Sequence, residues 1–228
     1  MDLFSTFVLD FIRIAHLVPF PNRLRHGISH RIPVQQEVRD LVMTKSICVF
    51  CGARNGNKPV FNEAAEELGN IIAKNSWRLV YGAGDVGLMG AVARGVQNAG
   101  GSIFGVIPQH LMQIERSLQN RDHLIITDDM HSRKKLMYIN SHAVVLLPGG
   151  AGSMDEFFEI LTWAQLKLHE RPIIIGNIAS YWQPMLDLID HMINLGFADA
   201  NMRDYFQVAN NTDEIQNLLR SALKTAHV

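Results

Sequence analysis

The sequence has little cysteine, little net charge and no long apolar run. Only two cysteines occur in 228 residues, Cys48 and Cys51. Two thiols three positions apart make no disulfide framework, so a reducing cytoplasm is the expected setting. The formal net charge is −1, from 21 Lys and Arg against 22 Asp and Glu. That balance leaves no electrostatic footprint for a nucleic-acid partner, and no block of like charge marks a tail. No apolar run approaches the roughly 18 residues a membrane helix needs, so no membrane partner is expected. The segment Leu3–Val18 is apolar, but Asp10 and Arg13 interrupt it. It lacks the basic start and the cleavage site of a signal peptide. Asp2, Asp10, Glu37 and Asp40 speak against an organellar transit peptide.

What is abundant is apolar side chain, at 47% of the residues. That is ample for the core of one domain of this length, with room for an appendage. Residues 1–43 are the appendage. Phe4, Phe7, Val8, Phe11 and Ile12 fall on one side of a possible amphipathic helix, and Pro19, Pro21 and Pro33 stop its continuation. Three readings fit: an arm packed on the domain or on a neighbouring subunit, a membrane-surface helix, or translated sequence upstream of a start at Met43. An N-terminal arm over 1–43, of little catalytic relevance, is taken as the expectation.

From residue 44 onward the pattern is regular. Strands are expected at Ser46–Phe50, Arg78–Tyr81, Ser102–Ile107, Leu124–Thr127, through Leu147, at Ile173–Ile175 and at Phe206–Val208. Helices are expected at about Val60–Lys74, to Asn98, across His131–Asn140, after Ser153, at Tyr181–Leu195 and at Thr212–Leu223. Asp128 or Asp129 caps the third of these, and Thr212 the last. Unbroken apolar strands alternating with helices spell an α/β fold, a doubly wound parallel sheet in a single domain, 44–228. Ligands of such sheets bind beyond the carboxyl ends of the strands. Four glycine-rich or polar loops lie there: Cys51–Asn57, Gly82–Gly90, Pro108–Arg116 and Pro148–Ser153.

The organising stretch runs from His142 to Asn177, as strand, glycine loop, helix and strand. Pro148 opens the loop, and Gly149, Gly150 and Gly152 let a backbone approach a ligand closely. Ser153 stands as the expected N-cap, with Asp155 and Glu156 in the first turn. A helix start offers free N–H groups to an anion. A carboxylate there either complements the helix dipole or stands at the mouth of a site to do chemistry.

Other motifs are weaker. Gly82, Gly84 and Gly87 match G-x-G-x-x-G, but no acid follows about 20 positions on to hold a dinucleotide ribose. A loop against a mononucleotide phosphate or ribose, or tight packing of strand on helix, are the readings left. Cys48 and Cys51 match C-x-x-C, yet Cys48 lies inside a strand and no second pair completes a zinc site, so both read as buried small hydrophobes. His131, Arg133, Lys134 and Lys135 open a helix. They read as a solvated basic face unless the preceding loop folds them over the site, because the helix start is expected opposite the next strand's carboxyl end.

The stretches PGGAGSMDE, DDMHSRKKLM, SICVFCGARNGNKPVFNEAA, LVYGAGDVGLMGAVA, FGVIPQHLM and LTWAQLKLHERPIIIGN, in order over about Lys45–Leu219, resemble the Lonely Guy (LOG) family of cytokinin-activating phosphoribohydrolases. Members were once labelled lysine decarboxylases. Ser153 stands where the signature PGGxGTxxE has threonine, which keeps the hydroxyl. Ala53 and Ala83 replace the usual serine and glycine, taking away one polar contact and stiffening a loop. The resemblance implies a Rossmann-like fold and a homodimer with sites near the subunit interface. It also implies cleavage of a nucleoside 5′-monophosphate to free base and ribose 5-phosphate, without metal, nicotinamide or pyridoxal phosphate. It assigns Arg133 and Glu156 as the catalytic pair. Glu115, Lys134 and Thr162 would bind the nucleotide, with the loop of Gly149, Gly150, Ala151, Gly152, Ser153, Met154 and Asp155. Gly52, Gly82, Gly84 and Met130 complete the expected set. Glycosidic cleavage passes through an oxocarbenium-like ribose, which a carboxylate stabilises or helps water attack. A non-catalytic AMP-binding module would use the same glycine loops without needing both Arg133 and Glu156. The old decarboxylase label would need a Schiff-base lysine, and no lysine has a supporting motif.

Overall fold

The computed structural model describes residues 44–112 and 123–225. The arm expected over 1–43, its boundary, and Glu115 lie outside the described residues. Seven strands form one sheet: β1 Ser46–Phe50, β2 Arg78–Tyr81, β3 Ser102–Pro108, β4 His123–Thr127, β5 Ala143–Leu146, β6 Ile173–Gly176 and β7 Gln207–Ala209. Every pairing is parallel, and the order is β4-β3-β2-β1-β5-β6-β7. The chain therefore winds outward from β1 to β4, returns to lay β5 beside β1, and winds outward again. The β1/β5 seam is the topological switch point.

Six α-helices are described: α1 Pro59–Lys74, α2 Gly87–Asn98, α3 Met130–Ile139, α4 Ala151–Gln165, α5 Gln183–Asn194 and α6 Thr212–Thr225. Strand alternation divides the core between two layers. Ile47, Val49, Leu79 and Val145 face α1, α2 and α6. Cys48, Phe50, Val80 and Leu146 face α3, α4 and α5. Both faces are covered, which is why these strands read as continuous apolar runs. The doubly wound Rossmann-like expectation holds.

Several boundaries move for physical reasons. Pro59 takes the first turn of α1, where its missing N–H costs nothing. Asp129 caps α3 by accepting from Ser132 N–H at 2.7 Å. The last helix is capped by Asn211, not Thr212: Asn211 Oδ1 accepts from Glu214 N–H at 2.9 Å, and Glu214 reaches back to Asn210 N–H and Asn211 Nδ2. That is the reciprocal logic of a capping box. Thr212 instead donates to Glu67 on α1 at 2.8 Å. Helix α5 begins two residues later than Tyr181, because a 3-10 turn at Ile178–Ser180 precedes it.

Helices α1 and α2 meet backbone to backbone. A Cβ added at Gly69 would stand 2.2 Å from Val92 O, and one at Gly95 would stand 2.1 Å from Glu66 O. Neither contact can relax by a rotamer change. Gly95→Ala is therefore expected to destabilise the fold by about 1–3 kcal/mol, the usual cost of overpacking, read as a lowered midpoint in denaturant unfolding. An unchanged midpoint would mean that the helices do not cross here.

Candidate active site

Beyond the carboxyl ends of β1 and β5 lies a cleft of about 790 Å³. That is within the range of small-molecule sites. Its walls are the loop from Cys51 to Lys58, the turn after β5 at Pro148–Gly150, the start of α4, part of α3, and the turn before α5. The sheet order creates it, since chains leaving β1 and β5 turn to opposite faces.

The start of α4 differs from the expectation. Gly150 is the N-cap and Ala151 the first helical residue, so Ser153 is the third residue of the helix, and no acid lies in the first turn. Ser153 is buried beside Gly149, where an added Cβ would meet Ser153 Oγ at 2.1 Å. The first intrahelical bond runs from Met154 N–H to Gly150 O at 3.1 Å. The N–H groups of Ala151, Gly152 and Ser153 precede it, the condition for an anion site. A Cβ added at Gly150 or Gly152 meets nothing within 4 Å. These two glycines leave an approach open, whereas Gly149 serves close packing. Asp155 and Glu156 fall in the second turn, so capping does not account for Glu156. Its i,i+3 relation to Ser153 puts both on one side of α4, against the cleft.

The glycine loop after β2 does a different job from the phosphate cradle that its pattern suggests. The N–H groups of Leu88 and Met89, at the start of α2, both donate to Gly52 O, at 3.0 and 3.3 Å. A Cβ on Gly87 would clash with the Ala53 backbone at 2.2 Å. That helix start is therefore occupied by the β1 loop. Gly84 is buried and does not line the cleft. Ala83, where the family has glycine, is fully buried at φ 67°. Gly82 does line the cleft, and it makes room for Arg133: an added Cβ would sit 1.7 Å from Arg133 Nη2.

Arg133 is only 5% exposed. Its Nη2 donates to Gly82 O at 2.8 Å, and Nη1 lies 3.7 Å from Met130 Sδ. The basic-face reading of this segment is corrected for both Arg133 and Lys134. Because β4 is parallel to its neighbours, α3 starts at the carboxyl edge of the sheet and delivers Arg133 and Met130 to the cleft. Lys134 turns elsewhere. Its ammonium bridges Asp155 at 2.9 Å and Glu159 at 3.1 Å on α4. Burial works to lower its pKa, but the hydrogen bonds and charges of these carboxylates outweigh burial and hold it above the ordinary lysine value.

Glu156 is half-buried and shares the cleft with Arg133 and Cys51. Burial pushes both thiols well above their usual range, the Glu156 charge adds to the effect, and Arg133 opposes it. The cysteines are inert apolar filler under the site, as the sequence suggested. Thr162 and Met154 do not line the cleft. With Asp155, Phe158, Glu159 and Trp163 they line a shallower groove on the outer face of α4. Thr162 Oγ1 donates to Phe158 O at 2.7 Å. Ala151 is exposed at the start of α4 and does not line the cleft. Among the described residues no three His, Cys, Asp or Glu side chains gather as metal ligands would.

Sequence reasoning placed the loop Cys51–Asn57 at the binding edge without singling out Arg54 or Asn55, and it missed Lys58 just beyond that loop and Phe61 on α1, all on the cleft wall. The loop's position after a strand was the available signal. It also missed the turn Ala179–Tyr181, which no motif marks.

Fold and site together define a Rossmann-like α/β protein with an anion-ready helix start and an arginine–carboxylate cleft at the switch point. A family model described as "Possible lysine decarboxylase" matches residues 89–219. The "Probable cytokinin riboside 5'-monophosphate phosphoribohydrolase LOG4" of Oryza sativa subsp. japonica is 40% identical over 178 residues, 78% of this chain and 77% of its own. The "Cytokinin riboside 5'-monophosphate phosphoribohydrolase LOG5" of Arabidopsis thaliana is 36% identical over 177 residues, 78% of each chain. The chain belongs to the Lonely Guy family. Among solved structures, the molybdenum cofactor binding protein from Rippkaea orientalis matches with a TM-score of 0.61 at 22% identity, over 79% of this chain and 99% of that one, a likeness of fold alone.

Gly82→Ala tests the seat of Arg133. The added methyl is expected to drive the guanidinium off Gly82 O, at a cost on the order of 1–3 kcal/mol for a buried charged hydrogen bond. A crystal structure of the variant with Arg133 still seated there would refute the close-approach role of Gly82.

Proposed function

We propose that the protein hydrolyses the N-glycosidic bond of purine nucleoside 5′-monophosphates, of the cytokinin type, AMP or both, releasing the base and ribose 5-phosphate. The single observation that carries this reading is that Arg133, Glu156 and the open helix start at Gly150, Gly152 and Ser153 line one cleft in a chain 40% identical to a named phosphoribohydrolase.

The phosphate docks on the first N–H groups of α4 and on Ser153 Oγ, which need no added positive charge. Glu156 lies three residues beyond Ser153, about 4.5 Å along the axis. A ribose anchored by its 5′-phosphate spans that rise and presents C1′ to the carboxylate. As the C1′–N bond breaks, its electron pair leaves with the base. Glu156 stabilises the developing cation and takes a proton from the water that adds to C1′. The base regains a proton from solvent. Arg133, seated on Gly82 O, offers its planar fork to a ribose or phosphate oxygen, where lysine would act only as a point charge. Lys134 contributes by holding Asp155 and Glu159.

The reading extends to a homodimer in a reducing cytoplasm, where the two free thiols stay reduced. Thr162 and Met154, which the family resemblance assigns to the nucleotide, line the outer groove of α4. A second copy seated on that groove brings them to its own site. Glu115 keeps its expected role in substrate binding within this proposal.

AMP and isopentenyladenosine monophosphate incubated with the protein are expected to yield base and ribose 5-phosphate by chromatography. Glu156→Gln and Arg133→Ala are each expected to lose about 10²–10⁴-fold in turnover. Full activity in either variant removes that residue's role. Calorimetric AMP binding with no base released over hours would establish the non-catalytic module instead.

A further inference from the structure

The turn before α5 is strained and points a tyrosine at the glycine loop. Ala179 and Ser180 both take left-handed φ, 50° and 58°. Such backbone costs an L-residue roughly 1–2 kcal/mol, and it persists only where surrounding contacts hold it. The contacts are there. Asn177 N–H donates to Ala209 O at 2.7 Å, and buried Asn177 Oδ1 accepts from Trp182 N–H at 2.8 Å. The result is Tyr181, its ring edge-on to Phe61 at 5.5 Å, its hydroxyl donating to Gly149 O at 2.5 Å. Tyr181 and Gly149 are 32 residues apart and line the same cleft.

We infer that Tyr181 is a positioning residue that latches the Gly149–Gly150 peptide in the orientation that grips a sugar phosphate. This rests on the proposed function above. The peptide is planar, so its carbonyl and the Gly150 N–H point in opposite directions. Two adjacent glycines let that plane flip at little steric cost. Flipped, the carbonyl lone pairs would face the anion in place of an N–H. Tyr181 is 39% exposed, yet its hydroxyl is committed to this carbonyl in place of water. Phe61 fixes the ring, so the hydroxyl arrives without searching.

Tyr181→Phe removes the latch and keeps the ring contact. It is expected to raise KM for AMP about three- to tenfold, the worth of one neutral hydrogen bond. Binding of ribose 5-phosphate by calorimetry should weaken by the same factor. Turnover at saturation should be unchanged, as for lost uniform binding. Inhibition by free adenine, which has no phosphate, should also be unchanged. Wild-type KM in Tyr181→Phe overturns the inference alone. So does equal weakening of ribose 5-phosphate and adenine, which would mark a general structural defect. A wild-type protein that neither binds ribose 5-phosphate nor cleaves AMP overturns the proposed function, and this inference with it.

Discussion

The site depends on the backbone of one residue, Gly52, through the two peptide groups that flank it. Its N–H donates to Pro148 O at 3.0 Å, and its carbonyl accepts from Leu88 and Met89 at the start of α2. Three segments leaving the carboxyl edge, after β1, after β2 and after β5, are tied at this point. A side chain there would be crowded: a Cβ on Gly52 would stand 3.2 Å from both Arg54 O and Gly149 Cα. The joint also decides where an anion can bind. Two glycine loops precede two helices, and both look like phosphate cradles in isolation. The joint occupies the start of α2 with a protein carbonyl and leaves the start of α4 open. One cradle becomes scaffold so that the other can be a site.

Much of this was legible along the chain. The strands and helices follow from apolar period, because each element's core face is a local pattern. The location of the cleft follows from parallel order alone. What was not legible were contacts across long sequence distances. Arg133 meets Gly82 51 residues away, and nothing near either residue marks the other. Gly82 was grouped with phosphate-binding glycines, although an arginine fills its space. The cap of α4 was misplaced for a related reason. A serine signals a cap through its hydroxyl, whereas Gly150 caps with no side chain to see. Tyr181 lies in a turn whose conformation opposes local preference, so propensity could not find it.

Helix α4 sorts three acids by direction. Asp155 and Glu159 stand one turn apart and share the buried ammonium of Lys134. Glu156, between them in sequence, turns about 100° away toward the cleft and Arg133. Adjacent cations on α3 thus serve opposite ends. Lys134, a compact point charge, pins α3 to α4 from behind. Arg133, with a planar fork, stays at the front with one nitrogen seated on a carbonyl. The pinning fixes the side of α4 that carries Glu156 against α3, and Asp155, at the rim of the same cleft, has its carboxylate on Lys134.

Backbone strain separates structural from functional turns in the same way. Five described residues other than glycine have positive φ: Ser76, Ala83, Lys167, Ala179 and Ser180. Ser76 and Lys167 follow α1 and α4, and each sits in a doubled bond pattern that ends a helix, Ser76 N–H to Ala73 O with Trp77 N–H to Ile72 O, and Lys167 N–H to Ala164 O with Leu168 N–H to Trp163 O. Those satisfy orphan carbonyls and need no further reason. Ala83, Ala179 and Ser180 end no α-helix. All three flank the cleft: Ala83 beside the carbonyl that seats Arg133, Ala179 and Ser180 beside the hydroxyl that holds Gly149. Ala83 stands where the family has glycine, so that turn belongs to the shared fold and the alanine carries its strain in this chain. That the strain gathers where an arginine and a glycine loop must be aimed, and nowhere else among the described residues once helix ends are set aside, argues that aiming them is what the strain is for.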